Sequence, residues 1–402
     1  MITRREVLRR GIAGLSALAC ASPVPARSTE RSIKPFGDVI VIAGGPRERG
    51  RRYGRRFRDE IGEFLDREIY RAFEGSLAAK EELLRYAAAC YRVIRAECPV
   101  IADELEGMAE ATGLRLEEHV LITLHEELYH RGTLPPVSHC TAVAVGPTES
   151  AGRTFVGQTW DWMESVAGMS SALEWRRDDG PSLLAYAFPG LWVGSGLNSA
   201  GLALCWTSAE LGKPNQVPRV GLPAYVLLAH LLYQPTLDAA IEAAKRGRHA
   251  GWFTFVMADG SGRLLNVEGS PEGVVCEEAS GRLVRVGFGS RRMAETTGGL
   301  GTARHPRCGT MDALLDRTRG RTDLDAMRTN FGDPARGICV GKATIDMMVF
   351  DTTARTAHLS RGPAYGVAWR QYGFSGGGKC RAARRAIGRP TPRTTSDVRT
   401  HR

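Results

Sequence analysis

The chain has 402 residues, of which 43% are hydrophobic, and its formal net charge is +10. That length allows one large domain or two closely packed ones. The excess positive charge is confined to the two ends. Residues 1–26 hold four arginines and one glutamate, and residues 378–402 hold eight Lys or Arg against Asp397. These ends account for the whole excess, so a basic nucleic-acid groove on the body is not expected, nor is a nucleic-acid partner.

The N-terminus has the layout of a secretory signal. The pair Arg4-Arg5 precedes an apolar stretch over Gly11–Ala21, and a small-residue site follows at Val24-Pro25-Ala26. The paired arginines indicate the twin-arginine route to the periplasm or the extracellular space, with residues 1–26 as the signal peptide. A lipid anchor on Cys20 is the alternative. No later apolar run reaches the roughly 20 residues of a spanning helix, so we expect no transmembrane segment.

Residues 27–139 have a helical pattern. Apolar residues recur three and four positions apart, with charged residues between them. The predicted helices are Asp59–Phe73, Lys80–Glu97, Ile101–Ala111 and Leu116–Tyr129. Thr112-Gly113 ends the third of them, because glycine commonly follows a helix end.

From residue 140 onward the pattern changes to short β-branched and aromatic runs broken by Gly, Pro and Asp. The predicted strands are Cys140–Gly146, Arg153–Trp162, Ser182–Phe188, Gly201–Thr207, Phe253–Ala258, Leu264–Glu268, Arg282–Phe288, Ile345–Phe350 and Thr356–Leu359. The predicted helices in this part are Ala224–Tyr233, Leu237–Lys245 and Leu314–Asn330. Runs of strands flanked by helices predict an α+β protein with stacked antiparallel sheets. We expect this portion to span 140–377, followed by a basic disordered tail over 378–402.

Cys140 lies at the point where the helical pattern ends and the strand pattern begins. Its thiol could attack the carbonyl of His139, shift the acyl group from nitrogen to sulfur and release the upstream chain by hydrolysis. The new N-terminal residue would carry a thiol and an α-amine, and an α-amine titrates near pH ~8, low enough to act as a general base. This chemistry needs no metal and no cofactor. The alternative is a buried structural thiol.

Two motifs resemble a known family. The stretch His139-Cys140-Thr141-Ala142 is followed by Gly157-Gln158-Thr159-Trp160-Asp161-Trp162. This arrangement resembles the acyl-coenzyme A:isopenicillin N acyltransferase family of N-terminal-nucleophile hydrolases, which is related to penicillin V acylases and bile-salt hydrolases. Gly50-Arg51-Arg52-Tyr53-Gly54 and Gly196–Gly201 are similar to further motifs of that family. The likeness spans roughly residues 38 to 365.

The resemblance implies a four-layer αββα sandwich in which Cys140 is the nucleophile and Asp161 orients the new α-amine and thiol. The alternative for Asp161 is a solvent-facing strand residue. Trp160, Trp162 and Trp206 are candidates for an apolar acyl pocket, with core packing as the alternative. The expected substrate is a small N-acyl or peptide-like amide, and the cleaved N-terminal fragment would stay bound. The oligomeric state stays open.

The chain also departs from the family pattern at several positions. Thr159 stands where relatives usually carry Asn, and Cys205-Trp206-Thr207 stands where they supply an oxyanion-binding Asn; we predict that the Thr207 hydroxyl takes this role. A second Asn is replaced by Val286-Gly287-Phe288, where the Gly287 N–H is a candidate donor. The catalytic Arg of the fungal acyltransferase aligns with Val340-Gly341-Lys342. An exported binding protein that keeps the fold without catalysis is therefore the alternative function.

The segment His125-Glu126-Glu127-Leu128-Tyr129-His130 looks like a zinc-protease motif. Its histidines are five residues apart, whereas two ligands on one helix face need a spacing of four. We therefore predict no metal site and a polar helix surface or a local contact there.

Overall fold

The computed structural model describes residues 33–71, 77–129, 140–209, 217–287 and 305–375. The predicted signal peptide, Cys20, His139 and the basic tail lie outside these described residues. In the part of the chain so described, no helix combines the length and the apolar character needed to cross a membrane.

Ten α-helices occur within the described residues. They are α1 (Pro46–Arg56), α2 (Arg58–Phe64), α3 (Leu77–Glu97), α4 (Pro99–Thr112), α5 (Leu116–Thr123), α6 (His125–Leu128), α7 (Ala224–Leu232), α8 (Leu237–Arg246), α9 (Pro306–Asp316) and α10 (Leu324–Gly332). Helix α2 continues as a π-helical stretch over Leu65–Tyr70. Gly113 ends α4 in the left-handed conformation, with φ 77°, as its position after the helix predicts.

The strands form two large sheets. They are β1 (Ile40–Ala43), β2 (Ala142–Val145), β3 (Phe155–Asp161), β4 (Ser171–Arg176), β5 (Leu183–Phe188), β6 (Leu191–Asn198), β7 (Ala203–Thr207), β8 (Phe253–Ala258), β9 (Leu264–Ser270), β10 (Gly273–Ala279), β11 (Arg282–Arg285), β12 (Thr344–Asp351), β13 (Thr356–Arg361) and β14 (Arg370–Gly373). The first sheet has the order β1-β4-β5-β6-β7-β8-β9-β10 and the second β11-β2-β3-β12-β13-β14. The pairing of β1 with β4 is parallel, and the other strand pairs of these two sheets are antiparallel.

The alternation of side chains along β2 shows how the layers are stacked. Val143 and Val145 pack with Met311 of α9 and Phe331 of α10, in a core on the outer face of the second sheet. Ala142 and its neighbour two residues on point the other way, into the large core shared with the first sheet. Because α7 packs on β6 at the far side of the first sheet, the order of layers is helix, sheet, sheet, helix. The predicted αββα sandwich is confirmed.

The prediction of one helix over Leu314–Asn330 is wrong. The chain forms α9 and α10 with a turn between them, where Gly320 has φ 73°. That conformation is compatible with glycine but interrupts a helix. The sequence patterns also missed α1 and five strands, namely β1, β4, β6, β10 and β14. Strand β1 comes from the mainly helical N-terminal segment and lies at the edge of the first sheet.

The Gly50–Gly54 motif allows two helices to approach closely. A Cβ atom on Gly50 would clash with the Glu104 carbonyl oxygen of α4, and one on Gly107 would clash with the Arg47 carbonyl oxygen of α1. Beside this contact the side chains of Arg49 and Glu104 are fully buried and form an ion pair of 2.7 Å. Gly50 and Gly107 therefore allow α1 and α4 to pack closely, and the buried ion pair of Arg49 and Glu104 joins the two helices.

Gly50→Ala should destabilise the protein by about 3 kcal/mol or more, because backbone atoms of the facing helix cannot move aside easily. Gly62→Ala is the matched control: this glycine also lies in a helix, but nothing lies within 4 Å of an added Cβ. It should gain about 0.5–1 kcal/mol from helix propensity. Urea unfolding of both variants measures the difference, and equal effects would contradict the close-packing interpretation.

Candidate active site

Cys140 is placed by the pairing of β2 with β3. Ala142 is opposite Gln158 in the ladder, and the N–H of Thr159 donates to the Thr141 carbonyl at 3.1 Å. The chain preceding β2 therefore runs beside the end of β3. There the peptide N–H of Asp161 donates to the Cys140 sulfur at 3.4 Å. The sequence predicted this neighbourhood of Cys140 and Asp161, and the structure brings the two residues together.

The Asp161 carboxylate is buried and held from two sides. Its Oδ2 accepts from Nη1 of Arg307 at 2.7 Å, and its Oδ1 accepts from the Thr344 hydroxyl at 2.6 Å. Burial raises the pKa of this carboxyl, while the charge of Arg307 and the hydrogen bond from Thr344 act in the opposite direction. The alternative of a solvent-facing strand residue is therefore wrong, since only 6% of Asp161 is exposed.

Cys140 as a residue is partly exposed at the pocket, but burial of its thiol raises the thiol pKa well above the usual range. The negative charge of Asp161 acts in the same direction, whereas the N–H of Asp161 and the charge of Arg307 favour the thiolate. A further positive charge close to the sulfur would therefore favour ionisation.

Thr207 lies directly beside Cys140. Its hydroxyl donates to the Cys140 carbonyl oxygen at 2.9 Å. The N–H of Gly287 in turn donates to this hydroxyl at 3.4 Å. Of the two candidate donors, only Thr207 thus contacts the backbone of Cys140, and Gly287 contacts Thr207. The predicted contribution of Thr207 to an oxyanion hole stays a prediction.

A pocket opens next to Cys140. Trp160, Trp162 and Trp206 all line it, together with Tyr225 and Tyr129. The ring centroids of Trp160 lie 5.9 Å from those of both other tryptophans. The three predicted substrate-binding residues therefore form connected aromatic walls around the thiol, as an apolar group would require.

The prediction of a polar surface on the helix after Leu124 is wrong. His125, Glu126 and Glu127 are all buried, and the first two line the pocket. Burial raises the pKa of Glu126 to about 7 and that of Glu127 to about 8, and it lowers the pKa of His125 to about 4. His130 lies outside the described residues. Among the residues described, no group of three His, Cys, Asp or Glu side chains is arranged to hold a metal ion.

Arg307 and Thr344 are site residues that the sequence analysis missed. Arg307 is in the first turn of α9, after Pro306, and is 146 residues from its partner Asp161. Thr344 begins β12, opposite Asp161 in the ladder. At the position that the resemblance aligns with the family's Arg, Lys342 forms an exposed ion pair with Glu164 instead. Only the antiparallel pairing of β12 with β3 could have indicated Thr344.

The cysteines of the described part are free thiols, and most are buried. Cys90, Cys98, Cys205, Cys308 and Cys339 are buried, whereas Cys140 and Cys276 are partly exposed. Cys140 differs from the partly exposed Cys276 because it faces a pocket.

The order of layers, helix, sheet, sheet and helix, is the sandwich architecture of N-terminal-nucleophile hydrolases. The family model described as acyl-coenzyme A:6-aminopenicillanic acid acyl-transferase matches residues 148–360. This match covers more than half of the sequence, and the chain therefore belongs to that family, as the resemblance of its motifs implies.

Solved structures similar to this chain include penicillin V acylase from Agrobacterium tumefaciens, with 13% identity and a TM-score of 0.40, covering 59% of this chain and 86% of the acylase. A mutant of the conjugated bile acid hydrolase from Clostridium perfringens has 12% identity and a TM-score of 0.37, covering 59% of this chain and 97% of the hydrolase. No curated protein sequence matches the chain significantly.

Arg307→Met should cost about 3–5 kcal/mol of stability, because it leaves the buried charge of Asp161 without its cation. The loss should shrink as the pH falls towards 4, since a protonated Asp161 carries no charge to compensate. Arg307→Met combined with Asp161→Asn should recover most of the loss. Urea unfolding of the two single variants and the double variant measures the coupling, and additive losses would contradict it.

Glu127→Gln should make the free energy of unfolding less dependent on pH. The Glu127 carboxyl accepts from the N–H of Ala224 at 2.8 Å, and its pKa rises from 4.5 to about 8 on folding. Between these pH values the folded state holds a proton that the unfolded state lacks, so stability falls as the pH rises. The variant's stability relative to wild type should therefore increase from pH 5 to pH 8, by at most ~1.4 kcal/mol per unit. Urea unfolding at pH 5, 6.5 and 8 measures the difference, and a constant difference would contradict the buried, protonated state.

Proposed function

We propose that this chain is an exported, self-cleaving cysteine amidohydrolase or acyltransferase whose nucleophile is Cys140, freed by cutting after His139. The placement of the Cys140 sulfur against Asp161, at the wall of an aromatic pocket, supports this function. The residues around the sulfur serve thiol chemistry in two ways. They supply an N–H to a thiolate, and they fix a carboxylate whose charge is balanced by Arg307.

Self-cleavage begins when the Cys140 sulfur bonds to the carbonyl carbon of His139. The C–N bond breaks as the departing nitrogen takes up a proton, which leaves a thioester and a free α-amine on Cys140. Water then attacks the thioester and releases the upstream chain with a new carboxylate. The Thr207 hydroxyl holds the Cys140 carbonyl throughout, so the residue keeps its orientation when its own peptide bond breaks.

In the mature enzyme the α-amine of Cys140 takes the thiol proton. An ammonium beside the sulfur supplies the positive charge that the buried thiol needs, and it offsets the effect of burial on the thiol pKa. The thiolate attacks the substrate carbonyl, the leaving amine departs with the proton, and an acyl thioester forms. Water or an amine then accepts the acyl group. Asp161 orients the α-amine, and Arg307 with Thr344 holds Asp161 in place.

The substrate class follows from the pocket and from export. Three tryptophans and Tyr225 offer apolar, flat walls next to the sulfur, which suits the acyl part of a small N-acyl or peptide-like amide. Hydrolysis is favoured over acyl transfer, because the signal at Arg4-Arg5 sends the chain out of the cytosol, where coenzyme A thioesters are made.

Intact mass and N-terminal sequencing of the purified protein test the function. The wild type should give two fragments, one beginning Cys-Thr-Ala-Val, and Cys140→Ala should stay uncut at this position. Cys205→Ala is the matched control, since Cys205 is buried and close by, and it should cleave as the wild type does. A wild-type chain that stays whole past His139 would refute the self-cleaving enzyme and support the catalytically inactive binding protein.

A further inference from the structure

The indole N–H of Trp206 is a hydrogen-bond donor that has no acceptor. Its Nε1 atom is buried, and no hydrogen-bond partner for it occurs within the described part of the chain. An unsatisfied buried donor costs about 1–3 kcal/mol. The same ring lines the pocket that contains the Cys140 sulfur.

The position of this donor is rigidly fixed. The backbone N–H of Trp206 donates to Oε1 of Gln158 at 2.8 Å, and Gln158 also accepts from the Ser195 hydroxyl at 2.8 Å. The indole ring is wedged edge-on against Trp160 at 5.9 Å and Tyr225 at 5.1 Å. A donor held in this way needs no reorganisation when negative charge develops next to it.

The hydroxyl of the neighbouring Thr207 cannot by itself stabilise the negative charge that develops on the attacked carbonyl oxygen. Thr207 donates its only hydroxyl hydrogen to the Cys140 carbonyl at 2.9 Å. The segment Cys205-Trp206-Thr207 contains no amide side chain. The pocket still requires a donor for the oxygen of the carbonyl that the thiolate attacks.

We propose that the indole N–H of Trp206 is an oxyanion-hole donor of this enzyme. When the Cys140 sulfur adds to an acyl carbon, the carbonyl π electrons move to its oxygen, and Trp206 donates a hydrogen bond to that oxygen. The electrons return when the C–N bond breaks. The attacked carbon is that of residue 139 in self-cleavage and that of the substrate in turnover. This inference rests on the proposed function, because it assigns one more catalytic residue to the same thiol chemistry.

Self-cleavage provides an assay that needs no identified substrate. The full chain is produced by cell-free translation with a short pulse of labelled amino acid, and the appearance of the fragment beginning at Cys140 is followed with time. Three variants are compared with wild type: Trp206→Phe, replacement of Trp206 by 3-benzothienylalanine, and Trp252→Phe. Benzothienylalanine keeps the shape of the indole but replaces its N–H by sulfur. Trp252 is an equally buried tryptophan outside the pocket wall.

Loss of one oxyanion donor slows turnover by about 10²–10³-fold. Trp206→Phe and the benzothienylalanine variant should both slow self-cleavage by about that factor, while Trp252→Phe should keep the wild-type rate. The benzothienylalanine variant is the control for misfolding, since it preserves the packing of the ring. Benzothienylalanine at the wild-type rate would overturn the proposal even if Trp206→Phe is slow, because packing alone would then explain the effect. A wild type that does not cleave would overturn the oxyanion role together with the proposed function.

Discussion

The site depends on one buried carboxylate. Moving an ionised carboxylate out of water costs several kcal/mol unless a cation and hydrogen bonds replace the lost hydration. Asp161 obtains them from Arg307 on α9 and from Thr344 at the start of β12. These partners belong to different elements, so satisfying one charge fixes the outer helix layer, the second sheet and the end of β3 relative to one another. The thiol of Cys140 takes its position from the same point, through the N–H of Asp161.

A second buried polar side chain joins the two sheets beside the thiol. Gln158 projects from β3 of the second sheet and accepts hydrogen bonds from Ser195 and from the backbone of Trp206, both in the first sheet. Each bond is a modest contribution to stability, but their directionality fixes how the sheets are aligned near the pocket. The Cys140 thiol and the Trp206 ring therefore come from the two different sheets and still keep a defined geometry.

Local patterns in the sequence predicted an α+β protein with stacked antiparallel sheets, and the resemblance of its motifs to a known family implied the order of layers and the pair of Cys140 and Asp161. The change of period at residue 140 marks the start of the strand-rich part of the chain, and the separation of Cys140 from Asp161 corresponds to the antiparallel pair of β2 and β3. Arg307 could not be predicted in this way, because no local pattern relates residues 146 positions apart. The burial of α6 was missed for a related reason: its charged residues are typical of a surface, and only tertiary packing places them inside.

The replacement of family residues raises the question of whether the chemistry has been lost. A buried ion pair contributes little net stability, and apolar residues of similar size often serve a fold better. A binding protein that had abandoned catalysis would have no need to keep Asp161 ionisable, or to recruit Arg307 from a separate helix to balance it. Such a protein would also have no need for three features of the pocket. They are a thiol beside a peptide N–H, a hydrogen bond from Thr207 to the carbonyl of Cys140, and an indole N–H without an acceptor. These features cost stability in a protein that only binds, and they are useful around a carbonyl that is under attack. They therefore favour an enzyme in which other residues have replaced the supporting residues of the family.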